Sequence, residues 1–148
     1  MPEETLSAGE LSNVVAQYHS AAAEFIKGNP EPYKQLFSQR DDVTLGNPFG
    51  PVGQGWEEVT GIMDRASALY RDGQITGFEN VSTYVTPELA YIVEVERFSV
   101  KISGSEQLSQ VALRTTSIFR PERGAWRIVH RHADPIASAR PPESVIQK

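Results

Sequence analysis

The segment that decides the fold of this chain is residues 126–134, which read WRIVHRHAD. On an extended strand successive side chains point to opposite faces, so Trp126, His130 and His132 are predicted to share one face. A tryptophan favours a packed core, whereas a buried imidazole costs free energy unless it is hydrogen-bonded. The segment therefore predicts a strand that runs from a core into a polar cavity, with Trp126 buried at its start.

The second half of the chain reads as strands. Runs rich in β-branched and aromatic residues are separated by short turns, which is typical of an antiparallel meander. The predicted strands are residues 75–85, 89–102, 108–120 and 125–133.

Helical spacing dominates the first half of the chain. Apolar residues recur at steps of three and four over residues 11–26, after a capping box that begins at Ser7. A shorter helical turn carries Tyr33, and a third helix is predicted from Trp56 to about Asp72, with Gly73 as its C-terminal cap. This order predicts an α+β fold with helices on one face of an antiparallel sheet, preceded by a short strand near residues 43–45 and a Gly- and Pro-rich loop.

Composition limits the classes of function. The 148 residues fit one domain, and 14 basic against 19 acidic residues give a net charge of -5, so no nucleic-acid partner is expected. No apolar run is long enough for a membrane span and the first residues are acidic, so a cytoplasmic protein is predicted, without a membrane partner. The absence of cysteine excludes thiolate chemistry.

Several segments resemble a known family. They are the loop 45–50 (LGNPFG), the pair Gly55-Trp56, and Leu113-Arg114 leading to residues 126–134. Together they resemble the SnoaL-like branch of the nuclear-transport-factor-2-like superfamily, over about residues 10–137 as the core of a single domain. The resemblance implies a cone-shaped fold, in which a strongly curved, mostly antiparallel sheet wraps around three N-terminal helices. It also implies a pocket at the open end and a homodimer formed through the outer sheet faces.

Glu96, Arg114 and His132 are the candidate catalytic residues. Glu94 and Glu96 alternate with valines on their strand and share a face with Ile92 and Phe98. If the registers agree, Glu96 orients His132 as a general acid or base, and Arg114 supplies an anion-binding guanidinium. The alternative is that Glu96 and Arg114 form a cross-strand ion pair on the outer face.

Five further residues are candidates for binding a ligand. Aromatic and amide groups suit the wall and mouth of a partly apolar pocket, and the candidates are Tyr18, Asn47, Phe49, Trp56 and His130. His19 is expected to be exposed on a helix flank, and Asp134 to end its strand or pair with Arg131. No third ligand accompanies His130 and His132, so neither a metal nor a cofactor is predicted.

These observations favour a domain that binds a small organic molecule without turnover. The first alternative is a cofactor-free lyase, isomerase or hydrolase with His132 as general acid or base. The second is a dimerisation module whose pocket is filled. Ketosteroid isomerase, scytalone dehydratase and limonene epoxide hydrolase share the implied fold but are not matched residue for residue, so the fold alone does not choose among these functions.

Overall fold

A computed structural model describes residues 6–147 of the protein. The helices within this range are α1 (Ala8–Phe25), α2 (Glu31–Lys34) and α3 (Trp56–Ser67), with a short 3-10 helix at Pro142–Val145. The strands are β1 (Thr44–Gly46), β2 (Gly53–Gln54), β3 (Tyr70–Val85), β4 (Ala90–Ile102), β5 (Ser109–Glu122) and β6 (Ala125–Asp134).

The six strands form one curved, open sheet in the order β2-β1-β6-β5-β4-β3. β1 runs parallel to β6 and every other neighbouring pair is antiparallel. Three register shifts between β3 and β4 add the local twist and bending that bulges give a sheet. The predicted α+β fold and the predicted meander are confirmed.

The helices cover one face of this sheet, called the inner face below. The capping box predicted at the start of α1 is present, with Ser7 and Glu10 bonded reciprocally. α1 buries Leu11, Tyr18 and Ala22 against the sheet, where they pack in one core with Trp126, which is 2% exposed. The predicted burial of Trp126 is therefore confirmed. No helix in the described range is both long and apolar enough to cross a membrane.

The third helix ends earlier than the sequence predicts. It stops at Ser67, and β3 begins at Tyr70, which pairs with Ile102. The predicted helix cap, Gly73, instead lies inside β3, where its amide donates to the carbonyl of Ile26 at 3.2 Å. A Cβ at Gly73 would lie 2.5 Å from that carbonyl oxygen, so this glycine serves the close contact of β3 with the end of α1.

A bulge in β6 changes which side chains face inward. Phe119 pairs with Ile128, but the preceding residue of β5, Ile118, pairs with His130, which leaves Val129 as the extra residue. The edge of β6 that faces away from β5 changes its partner at this point. The backbone of Ile128 bonds to residues 36 and 38, whereas residues 130–132 pair with β1. The alternation predicted from Trp126 is therefore reversed beyond Val129.

Candidate functional site

A buried ion pair lies on the inner face of the sheet. Nη2 of Arg131 donates to Oε2 of Glu96 at 3.0 Å, and the two side chains are 8% and 5% exposed. Nε of Arg131 donates to the hydroxyl of Tyr18 at 2.9 Å, and its guanidinium lies 5.6 Å from the ring centre of Tyr33. Two strands and two helices thus hold one guanidinium in place.

This environment fixes the charge of Arg131. Burial by itself lowers the pKa of Arg131, but the neighbouring Tyr18, Tyr33 and Glu96 outweigh it and hold that pKa well above the ordinary value. Burial also raises the pKa of Tyr33 well above its usual range. At neutral pH the arginine is therefore a cation and the Tyr33 hydroxyl keeps its proton.

A small cavity lies directly over the ion pair. It has a volume of about 40 Å³, and its walls include Phe25, Tyr70 and Phe98, with Glu96 and Arg131 as the charged groups. Since a buried water needs roughly 10–15 Å³ of such space, the cavity has room for a few waters at most. The interior of the cone is thus nearly filled by side chains.

Two polar atoms of the ion pair remain available at this cavity. Within residues 6–147, neither Nη1 of Arg131 nor Oε1 of Glu96 has a hydrogen-bonding partner from the protein. Tyr70 also lines the cavity, and burial raises the pKa of its hydroxyl to about 12. The cavity therefore offers a guanidinium donor, a carboxylate acceptor and a neutral phenol.

The loop between β1 and β2 forms the mouth of the cavity. Asn47 and Phe49, two of the candidate ligand-binding residues, line it, and the ring of Phe49 lies 5.7 Å from that of Tyr70. Oδ1 of Asn47 accepts the backbone N–H of Phe49 at 2.9 Å, which fixes the turn. The same two residues also line an open surface groove beside α3, so they separate the cavity from solvent.

The predicted meeting of Glu96, Arg114 and His132 is wrong. Arg114 lies on the outer face because Glu96 pairs with Leu113, which puts Arg114 on the opposite face of β5, where it pairs with Asp134. His132 pairs with Thr116 on the same outer face because the bulge at Val129 shifts the final residues of β6 by one position. His132 is 45% exposed with its Nε2 3.5 Å from Asp134, and Arg114 donates to Asp134 at 2.8 Å. Only Glu96 of the three lines the cavity.

The other candidates divide in the same way. His130 faces outward, bonded through Nδ1 to Oγ1 of Thr44 at 2.7 Å, so its predicted place in the cavity is wrong. Trp56 packs against the main core and lines a different groove, so its predicted place is also wrong. Tyr18 reaches the site only through Arg131, and Asp134 pairs with Arg114 instead of Arg131.

His19 has a role that sequence reasoning missed. Its Nε2 lies 2.8 Å from Oε1 of the buried Glu94, and its ring stacks on Phe78 at 3.7 Å. The expectation that it lies exposed and idle on a helix flank is therefore wrong. The available signal was the pair Glu94 and Glu96 on one inner face, since two buried carboxylates require two polar partners.

A metal site requires a different grouping of side chains. Among residues 6–147 no three His, Asp or Glu side chains converge closely enough to hold an ion. His19 with Glu94, and His132 with Asp134, form separate pairs on opposite faces of the sheet. The described residues therefore give no basis for assigning a metal ligand, and the inner site is built for hydrogen bonding.

A family model matches the sequence of this chain, and solved structures match its fold. A family model described as a SnoaL-like domain matches residues 11–138. No curated protein matches the sequence. A candidate dehydratase of the NTF2-like family from Streptomyces avermitilis superposes with a TM-score of 0.71 at 21% identity, covering 89% of this chain and 100% of the other.

Two further structures have the same shape. A ketosteroid isomerase-like protein from Erwinia carotovora atroseptica gives a TM-score of 0.72 at 14% identity, covering 89% of this chain and 100% of its own. A candidate association domain of calcium/calmodulin-dependent protein kinase type II from Thiobacillus denitrificans gives 0.70 at 15% identity, covering 92% and 99%. At these identities the structural likeness establishes the fold.

Proposed function

The chain belongs to the SnoaL-like domain family, and on that premise we propose that it binds a small, largely apolar organic molecule over the Arg131–Glu96 pair. The observation that carries this proposal is the pair of polar atoms left free at the base of an apolar cavity, Nη1 of Arg131 and Oε1 of Glu96. Neither atom is fully buried, since among residues 6–147 only Oγ of Ser117 is a fully buried polar side-chain atom without a partner, so both can accept a ligand or water as their partner. Aromatic walls with a few fixed polar groups are the usual composition of such sites.

The charges of the site select the chemistry of the ligand. Arg131 and Glu96 neutralise each other, so the site as a whole attracts neither anions nor cations strongly. Nη1 donates a hydrogen bond and Oε1 accepts one, which matches a neutral group that carries an acceptor beside a donor, such as a cis-amide or a hydroxyketone. A carboxylate in the same position would face Oε1 of Glu96 and be repelled.

Entry of such a ligand requires movement of Phe49. Ligand sites usually have volumes of about 300–1,000 Å³, far above the 40 Å³ of this cavity. On the other side of Asn47 and Phe49 lies a groove of about 570 Å³. Phe49 is 46% exposed, so turning it outward costs little apolar burial and joins the two spaces.

The proposal is tested by titration with matched small molecules. We expect 2-piperidone, a neutral cis-amide, to shift NMR signals of residues around the cavity, and cyclohexanecarboxylate, of similar size, to bind at least tenfold more weakly. Glu96→Gln should reduce this discrimination, and Phe49→Ala should strengthen binding by opening the mouth. Arg114→Ala, on the outer face, is the matched control. Equal binding of both molecules to all variants would contradict the proposal.

A second candidate is a cofactor-free lyase or isomerase in which Glu96, in place of His132, is the base. Two observations favour it: Oε1 of Glu96 is free at the cavity, and the Tyr70 hydroxyl is neutral up to a pH of about 12 and can donate to a developing oxyanion. The test is deuterium exchange at the α-carbon of cyclohexanone. Exchange that is faster with the protein and lost in Glu96→Gln supports turnover, and exchange at the buffer rate supports binding alone.

We also propose a homodimer formed through the outer face of the sheet. That face presents Val93, Val95 and the stacked rings of Tyr84 and Tyr91, and Tyr84 is 51% exposed. Apolar side chains exposed on one face of a sheet favour association. Light scattering at micromolar concentration should give twice the mass of one chain, and Val95→Glu should give a folded monomer. A wild-type monomer would refute the dimer without affecting the cavity.

A further inference from the structure

A second polar cleft lies at the opposite end of the sheet from the cavity. It is bounded by the segment after α2 and by the turn between β5 and β6, and it has a volume of about 390 Å³. Three arginines from separate segments line it, Arg40, Arg123 and Arg127, together with the carboxylate of Glu122. We propose that this cleft binds a phosphate-type oxyanion, either free or as the phosphate group of a small molecule.

The first supporting observation is a like-charge pair across two strands. Arg120 of β5 lies directly opposite Arg127 of β6. Like charges in this position destabilise a sheet unless they are compensated. Arg120 is compensated, because it donates to Asp42 at 2.7 Å and to Glu122 at 2.6 Å.

Arg127 lacks such compensation. Its guanidinium donates to the backbone carbonyl of Gln35, and no carboxylate within residues 6–147 lies within 4.0 Å of it. A carbonyl oxygen offers only a partial charge, so most of the positive charge of Arg127 remains. The hydrogen bond to Gln35 also fixes the orientation of this guanidinium.

The second observation is the backbone of Arg123. It has a φ of 53° at the first central position of the two-residue turn with Gly124, whose φ is 79°. Such turns favour asparagine, aspartate or glycine, because other side chains are strained at positive φ. An arginine here brings a third guanidinium to the rim of the cleft at a cost to the turn, and strain of this kind is concentrated at functional sites.

The balance of charge at the cleft is positive. Three guanidinium groups line it, those of Arg40, Arg123 and Arg127, against the single carboxylate of Glu122, while Arg120 and Asp42 form an adjoining ion pair. This excess of two positive charges stands out in a chain whose net charge is -5. It also contrasts with the neutral pair in the inner cavity, so the two sites select ligands of different charge.

The geometry favours a phosphate group over other anions. Guanidinium groups bind phosphate through paired, charge-assisted hydrogen bonds, and several of them suit an anion that carries two charges. The volume lies at the low end for small-molecule sites, and three arginines around one cleft do not form the extended basic stripe that nucleic-acid backbones require. A small phosphorylated compound or inorganic phosphate is therefore the occupant.

The experiment is a titration of the whole chain with sodium phosphate and, separately, glycerol 3-phosphate, each against sodium chloride at equal ionic strength. We expect both to bind by calorimetry and to raise the Tm, whereas chloride does neither. Arg123→Gly should weaken binding about tenfold, the effect of losing one charge-assisted contact, without loss of stability, because glycine suits the positive φ. Arg127→Gln should weaken it at least as much.

Arg114→Ala is the matched control, since it removes one positive charge from the outer face far from the cleft. It should bind phosphate as the wild type does. Tighter binding of glycerol 3-phosphate than of phosphate would identify a phosphorylated compound, and equal binding would identify the free ion. The proposal is overturned if chloride stabilises as strongly as phosphate, or if Arg123→Gly and Arg114→Ala bind equally.

Discussion

The two faces of the sheet each carry an arginine paired with a carboxylate, and the pairs differ in their surroundings. On the inner face Arg131 and Glu96 are 3.0 Å apart and nearly inaccessible. On the outer face Arg114 and Asp134 are 2.8 Å apart, but Arg114 is 52% exposed. Charge and distance are almost the same, so the burial of the pair decides what its removal does.

A short distance between two charges alone says little about their contribution to stability. An exposed pair exchanges contacts with water for contacts with each other and gains little. A buried pair has lost its water and depends on its partner, so removing one member leaves an isolated charge. The inner pair is therefore the sensitive one, and it is also the pair that faces the cavity.

Arg131→Met should have the largest effect in this comparison. Replacement leaves Glu96 buried without its cation, and such losses cost about 3–5 kcal/mol of unfolding free energy. Denaturant unfolding measures this directly. The double variant Arg131→Met with Glu96→Leu removes both charges and should lose clearly less unfolding free energy than Arg131→Met alone. If single and double variants are equally destabilised, packing rather than charge holds this region.

Trp126→Ala tests β6 before the bulge. The indole is buried in the main core, and loss of a core aromatic costs about 3–5 kcal/mol. The same unfolding measurement applies, and near-UV circular dichroism reports on the packing. Trp56→Ala, which removes a half-buried tryptophan outside the cavity, is the control and should cost less. A loss below about 1 kcal/mol at Trp126 would contradict its place in the core.

Arg114→Ala should have a smaller effect that depends on pH. Burial raises the pKa of Asp134, but hydrogen bonds from Arg114 and the backbone outweigh it and leave this pKa below its usual value. A lowered folded-state pKa stabilises the fold above about pH 4 and loses that effect as the pH falls further. The wild type and the variant should therefore differ in Tm at pH 7 and converge near pH 2. A constant difference across this range would rule out the ion pair as the cause.

His130→Gln should have the smallest effect, visible below neutral pH. Burial, and then the neighbouring His132, lower the pKa of His130, so protonation favours the unfolded chain. Stability of the wild type should decline as the pH falls below about 6.5, and the variant should decline less. His132→Gln is the comparison variant, because it removes the charge of His132, the second of the two causes, and leaves His130 in place. Identical pH profiles for wild type and His130→Gln would contradict this assignment.

Residue patterns predicted the fold more completely than the site. Helical spacing and turn residues are local signals, so α1, the loop and the four-strand meander were predictable. Alternation also placed Glu94 and Glu96 correctly, because β4 pairs with β5 without a register shift from Ala90 to Val100. The prediction that Gly73 caps α3 was wrong, because the close contact of β3 with Ile26 requires a glycine at this position.

The prediction for His130 and His132 was wrong because of one residue, Val129. Arg114 faces outward for a separate reason, since Glu96 pairs with Leu113. The bulge at Val129 arises where β6 changes its edge partner, which is a tertiary feature that no local pattern records. Strict alternation counted from Trp126 therefore placed His130 and His132 on the inner face and Arg131 on the outer face. The two inner glutamates of β4 need two cationic or polar neighbours. Arg131 is the only arginine between Arg127 and Arg140, so the sequence did offer a partner for one of them in β6.

The bulge also decides which of two chemistries β6 presents to the interior. Residues 130–133 carry imidazoles at the even positions and a guanidinium at position 131. Loss of Val129 alone would remove the bulge and leave Arg131 facing inward, because Ile118 already pairs with His130 and Ser117 with Arg131. A slip of one residue that paired Val129 with Ile118 would instead turn His130 and His132 inward, so the register of β6, with no substitution of side chains, selects between an arginine-based and a histidine-based interior.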